Sequence, residues 1–203
     1  MVQKLSPAAL NLILKYEVGG GEAYYNKFLK KPTWPGAFSG VTIGIGYDLG
    51  YHTNAQFKDD WKDFLDERQL TRLSVTVGVK GKSARGYLAG VKDIIVPWSS
   101  ALSVFEETTI PKFINQTKQI YPGVEDLYPD AFGALVSLVF NRGSSLSGKR
   151  RAEMLAIKSL VPKRDYKGIA QQIRNMKRLW RGAGVDGLLK RREDEAKLVE
   201  SCA

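Results

Sequence analysis

Apolar residues fall at helical spacing soon after the start of the chain, where Leu10, Ile13, Leu14 and Tyr16 form one stripe behind Ser6-Pro7. A serine N-cap followed by proline at the first helical position predicts a helix from about Pro7 to Tyr16 or Glu17. It must stop at Gly19-Gly20-Gly21, because glycine is costly inside a helix. Ala23 to Leu29 is aromatic and reads as a short strand. The Pro- and Gly-rich stretch Pro32 to Gly40 reads as a loop, and Val41 to Tyr47 (VTIGIGY) as a strand in a small sheet. From Asn54, the expected cap, the period becomes helical, with Phe57, Trp61, Phe64 and Leu65 on one stripe.

A further helix starts at Ser99 or Ser100, carries Leu102 and Phe105, and bends or restarts at Pro111. Asp130 to Phe140 (DAFGALVSLVF) is apolar nearly all round, so it should be the central buried helix, ending at Gly143. Helices are expected around Arg151–Leu160, Tyr166–Trp180 and Gly187–Glu200, with Pro162 and Gly182-Ala183-Gly184 as breaks. The layout is α+β, mostly α. It predicts a single domain over 1–203, with a small β-containing lobe at about 19–53 and a helical lobe at about 54–203 packed with helix 7–17.

Composition narrows the chemistry. No apolar run approaches the roughly 20 residues that a bilayer demands, so no stable membrane insertion is expected. Residues 1–7 lack the apolar stretch and cleavage site of a secretory signal, which predicts synthesis ending in the cytoplasm. The net charge of +10 favours polyanionic partners but selects no substrate. Cys202 is the one cysteine, so no intramolecular disulfide forms, and its place near a fraying end argues against a catalytic thiol. His52 is the one histidine, which excludes a His-rich zinc site and a Ser-His-Asp triad built elsewhere. Gly44 to Gly50 lacks the Lys-Ser/Thr ending of a phosphate loop and the spacing of a dinucleotide fingerprint. Neither metal nor cofactor is expected.

What remains is acids and hydroxyls in the first 50 residues. Hydrolysis of a glycosidic bond takes one carboxyl group to protonate the leaving oxygen, and a second group to activate water or stabilise the oxocarbenium-like centre. Glu17, Glu22 and Asp48 qualify by type, beside glycines and aromatics able to line a sugar cleft. Glu17 sits at a helix C-terminus, facing the negative end of the dipole, an arrangement suited to a proton donor.

Glu17 followed by Tyr24, and then Thr42-Ile43-Gly44-Ile45-Gly46, resembles the phage-type lysozymes of glycoside hydrolase family 24. Phe140-Asn141-Arg142-Gly143 resembles the Phe-Asn-x-Gly that closes that family's buried helix. Gly187-Leu188-Leu189-Lys190-Arg191-Arg192 with Glu195 resembles its final helix. The segments occur in the family's order and span nearly the whole chain. One departure is informative: where the phage enzymes carry their second carboxylate, nine residues after the Glu, this chain has Asn26, and about ten extra residues follow before the Thr strand. Thr42 to Asp48 has instead the six-residue spacing of the pesticin-like branch, to which the chain looks most similar.

The resemblance implies a lysozyme-like fold and cleavage of the β-1,4 bond between N-acetylmuramic acid and N-acetylglucosamine, with inversion. In that reading Glu17 is the general acid, and Asp48 with the Thr42 hydroxyl holds the attacking water. Arg192 falls on the apolar face of the last helix and needs an acidic partner there. The resemblance points to Glu17, with Glu195 the alternative and Arg191 in reserve. Tyr24 stacks on sugar, Asn141 and Arg142 bond N-acetyl or peptide groups, and Tyr25, Trp34, Tyr47 and Tyr51 are further aromatics of this kind; His52 is a surface or capping residue.

The expected setting is a monomer acting on bacterial peptidoglycan, either as a phage endolysin after holin-type release or as a delivered antibacterial toxin, with an inhibitor or immunity protein as a possible partner. The rivals are a lytic transglycosylase, which needs the Glu but no water-activating Asp, and a non-enzymatic basic binder resting on Lys149/Arg150/Arg151 and Lys190/Arg191/Arg192. No nucleic-acid motif accompanies those short runs, so nucleic acid is not expected as a partner.

Overall fold

The computed structural model describes residues 4–19, 21–182 and 184–203. Gly20 and Ala183, within the two expected glycine breaks, and residues 1–3 of the N-terminal segment lie outside the described residues. The fold is mostly helical with one small two-stranded sheet, the α+β class expected. Helix α1 spans Pro7–Glu17, and Ser6 caps it by accepting the Ala9 N–H at 3.2 Å. The chain divides into two compact units: Glu17–Ile110, and the segment up to Tyr16 with Pro111–Ala203. The small sheet therefore lies in a unit reaching Ile110, well past the lobe boundary near residue 53.

In the 17–110 unit, α2 spans Gly21–Phe28, where a strand was expected. Only Tyr25 of this helix is buried, while Tyr24 and Phe28 meet four residues apart with ring centroids at 4.8 Å. One buried position with an i,i+4 aromatic pair outside it is a helical pattern. Glu22 in its first turn and Lys27 in its last also suit the helix dipole. The buried Tyr25 hydroxyl donates to Val96 O at 2.9 Å.

VTIGIGY is likewise not one strand. β1 (Thr42–Ile43) and β2 (Tyr47–Asp48) pair antiparallel around Gly44-Ile45-Gly46. Gly44 and Gly46 have φ of 57° and 72°, left-handed backbone that breaks a strand and is cheap only for glycine. A Cβ on Gly44 would also lie 2.9 Å from the Trp61 ring.

Helices α3 (Asn54–Trp61), α4 (Glu67–Ser74), α5 (Gly81–Tyr87) and α6 (Trp98–Val104) complete this unit. Thr53, rather than Asn54, caps α3, in a capping box with Gln56. A π-turn over Phe105–Thr109 follows α6. It sits where Pro111 withdraws the N–H that the Glu107 carbonyl would accept, the restart expected at that proline.

The other unit holds α1 with α7 (Ile110–Ile120), α8 (Pro129–Arg142), α9 (Ala152–Leu160), α10 (Tyr166–Asn175) and α11 (Asp186–Glu200). Every residue of α8 from Ala131 to Val139 is buried, as its unbroken apolar run predicts. α11 packs on both α8 and α10, and α10 on α9. Gly133 lets α8 approach α1, since a Cβ there would fall 2.1 Å from Ala9 Cβ. Gly133→Ala should therefore push the two helices apart and lower unfolding free energy by about 1–3 kcal/mol, the usual range for overpacking. Urea denaturation measures it.

Candidate functional site

The hairpin register places Thr42 directly opposite Asp48. The backbone N–H and C=O of Thr42 are spent on Thr33, at 2.8 and 2.9 Å, and the Leu49 N–H bonds Val41 O at 2.9 Å. Thr42 and Asp48 are thus a non-hydrogen-bonded pair, the kind whose side chains stand closest on a shared face. The six-residue spacing seen in the sequence becomes a cross-strand contact because a three-residue turn closes it.

Asp48 is held on both sides. Its Oδ1 accepts the N–H of Gly40 and of Gly50, each at 2.9 Å, and Oδ2 shares the Gly40 N–H at 3.2 Å. This clamp needs both glycines: a Cβ on Gly40 would lie 2.5 Å from Asp48 Oδ1, and one on Gly50 2.9 Å from Gly40 Cα. A carboxylate has about four lone-pair sites, so Oδ2 keeps acceptor capacity. The Thr42 hydroxyl, on the residue opposite, is buried and has no hydrogen-bond partner among the described residues, so it can donate to a water or a substrate oxygen.

The flanks are fixed by aromatics. Tyr47 donates to Asp60 Oδ2 at 2.6 Å and stacks on His52 at 4.0 Å. Burial first, and then the bond to Asp60, push the Tyr47 phenol well above its usual range. His52 Nδ1 lies 2.8 Å from Asp48 O; a carbonyl only accepts, so Nδ1 carries the proton. His52 thus caps the turn after Asp48, as its capping assignment expects.

Glu17 closes α1 and is exposed, Glu22 opens α2, and Tyr24 is partly exposed on the same helix. Glu17, Tyr24, Thr42 and Asp48 all belong to the 17–110 unit. Asn141, Arg142, Arg191 and Arg192 belong to the other.

There the structure builds a buried ionic cluster. Glu195 Oε1 accepts from Ser137 Oγ at 2.6 Å, Arg192 Nη2 at 2.8 Å and Arg191 Nε at 3.2 Å. Arg192, expected to face Glu17, directs its hydrogen bond to Glu195, while its Nε and Nη1 have no partner among the described residues. Burial is the larger influence on Arg192 and disfavours its charge; Glu195 opposes that. Arg191 also lies 5.5 Å over the Tyr16 ring, and Tyr16 donates to Asp194 at 2.7 Å. Ser137 had no assigned part, although one polar residue inside the apolar run of α8 was the visible signal for it. Asn141 is exposed at the end of α8. Arg142 stacks 4.8 Å over Trp180, and burial first, then the guanidiniums of Arg151, Arg192 and Arg150, hold it below the usual arginine range.

Among the described residues no group of three or more His, Cys, Asp and Glu side chains is placed to hold a metal ion, and no helix is long and apolar enough to cross a membrane. Glu195→Ala should cost about 3–5 kcal/mol, since it strips the buried guanidiniums of the carboxylate they share. Chemical denaturation followed by circular dichroism checks it.

Two family models match the chain. That of the phage lysozymes, described as "Phage lysozyme", covers residues 74–195, and one described as a domain of unknown function, DUF8812, covers residues 13–123. No curated protein sequence matches the chain. Asn141, Arg191 and Arg192 lie within the phage lysozyme match, whereas Glu17, Thr42 and Asp48 lie only within the other.

Proposed function

We propose that this chain, which belongs to the phage lysozyme family, is a peptidoglycan muramidase of the pesticin-like kind, with Glu17, Thr42 and Asp48 as its catalytic groups. The supporting observation is the cross-strand pairing of Thr42 with Asp48, with a buried Thr42 hydroxyl that has no hydrogen-bond partner among the described residues. Glu17 donates its proton to the glycosidic oxygen between N-acetylmuramic acid and N-acetylglucosamine as the C1–O bond breaks. Asp48 and Thr42 hold a water against the opposite face of the ring; the water attacks C1 and its proton passes to Asp48, inverting the anomeric centre. Tyr24 stacks on a sugar, and Asn141 and Arg142 meet N-acetyl or stem-peptide groups. Glu195 acts through Arg191 and Arg192 as a positioning residue. The whole chain works as a single-domain monomer on the cell wall, as a phage endolysin after holin-type release or as a delivered toxin.

Three substitutions separate chemistry from scaffold. Glu17→Gln should remove clearing of outer-membrane-permeabilised bacteria by at least about 10²-fold with an unchanged circular dichroism spectrum, the scale of a lost general acid. Full clearing by that variant would end the assignment. Thr42→Val should lower turnover on purified sacculi while leaving stability equal or higher, because the hydroxyl it removes has no partner among the described residues. Asp48→Asn keeps an oxygen for the Gly40 and Gly50 amides but loses the base, so turnover should fall more steeply than the melting temperature.

One observation favours a second reading, lytic transglycosylase action: much of the Asp48 carboxylate is committed to backbone amides. Mass spectrometry of the released muropeptides decides. Anhydro-muramic ends support the transglycosylase, and reducing ends the hydrolase.

A further inference from the structure

Charge is segregated within the 17–110 unit. Residues 23–47 contain three lysines and residues 68–92 contain six Lys or Arg, and neither stretch holds a carboxylate. The fold joins the two. The Gly81 N–H donates to Ser39 O at 2.9 Å, the Lys80 ammonium lies 3.8 Å over the Tyr51 ring, and the Arg85 guanidinium 5.7 Å over Trp34. Both cations are exposed.

At the edge of this field the loop 34–39 presents an aromatic ring to water. Phe38 is 82% exposed and Tyr51 beside it 60%. The exposure is built in, for the loop backbone is braced at three carbonyls. Trp34 Nε1 donates to Ser39 O at 3.0 Å, the Tyr51 hydroxyl to Phe38 O at 3.4 Å, and the Ser39 N–H to Gly36 O at 3.0 Å. Ala37, immediately before Phe38, has φ of 48°, a left-handed backbone unfavourable for a residue with a Cβ. A single exposed apolar residue is ordinary. One held outward by a braced, strained loop beside the exposed cations of Lys80 and Arg85 is not.

The surface asks for two things within a few ångströms: an apolar phase for the ring and anionic groups for the cations. A soluble polyanion answers only the second, and a neutral glycan stack only the first. The headgroup region of an anionic bilayer supplies both, as it does for interfacial segments that pair aromatics with Lys and Arg. We propose that the Phe38 loop docks this protein on the surface of an anionic lipid bilayer, with Phe38 entering the headgroup region and Lys80 and Arg85 meeting lipid phosphates. This is attachment to a membrane face, distinct from insertion, and it stands independently of the muramidase assignment.

The test is co-sedimentation of the full chain with vesicles of phosphatidylglycerol and phosphatidylcholine in equal parts, against vesicles of phosphatidylcholine alone. Binding is expected to the anionic vesicles only, falling steeply with added salt. Phe38→Ala should weaken it about tenfold, and Lys80→Gln or Arg85→Gln about fivefold each. Because the ring is exposed, Phe38→Ala should melt with the parent chain and cleave lipid-free sacculi at the parent rate. The proposal fails if anionic and neutral vesicles bind alike, if neither binds, or if Phe38→Ala binds as the parent does. It fails equally if Phe38→Ala loses activity on lipid-free sacculi while vesicle binding persists, since Phe38 would then be a sugar-stacking residue.

Discussion

The Asp48 carboxylate draws two glycine amides onto itself, Gly40 from the loop before the hairpin and Gly50 from the turn after it. A Cβ on either glycine would collide with the other's backbone or with Asp48 itself, so three residues form one interlocked unit. Several features hang on this clamp. It closes the hairpin that pairs Thr42 with Asp48, starts the short turn capped by His52, and anchors the end of the loop that carries Phe38. A carboxylate bonded to backbone N–H groups is among the stronger contacts available at a protein surface. Here the residue proposed for chemistry is also a structural keystone, so its two roles have to be separated by variants that keep an oxygen in place.

The second unit solves a different electrostatic problem. Two arginines of α11 enter a core in which α8 is buried from Ala131 to Val139, and a lone guanidinium there would be prohibitive. Glu195, one turn on, and Ser137 of α8 share the load, with Glu195 Oε1 taking three donors. Removing Glu195 leaves two buried guanidiniums without the carboxylate they share, which is why such a cluster costs little when whole and much when that residue is lost. The positive excess nearby, around Arg142 and Trp180, is left to whatever anionic group meets it.

The two family matches divide along similar lines. The phage lysozyme match begins at Ser74 and takes in the buried helix and the Arg-Arg-x-x-Glu helix, where packing restrains the sequence. The stretch bearing Glu17, Thr42 and Asp48 lies outside that match and within the one over residues 13–123.

Periodicity and stop signals in the chain determined a good deal by themselves. The Ser6-Pro7 start of α1, the burial of 131–139, the restart at Pro111 and the helices at the C-terminus are all local consequences of apolar spacing, caps and proline. The Thr42–Asp48 spacing came from the resemblance, and it took the unforeseen turn at Gly44-Ile45-Gly46 to make it a cross-strand pair. Elsewhere local signals misled. Ala23–Leu29 looked like a strand because aromatics favour sheets, yet burial of Tyr25 alone made it a helix; VTIGIGY looked continuous until two left-handed glycines turned it back on itself. Only tertiary structure decided that Arg192 spends its hydrogen bond on Glu195, that Asp48 clamps two glycine amides, and that Phe38 stands in water. Gly40 meets Asp48 across the hairpin, the Tyr51 hydroxyl reaches back to Phe38 O, and the local Arg192–Glu195 pair is buried against Ser137 of another helix, and no window of neighbouring residues encodes those meetings.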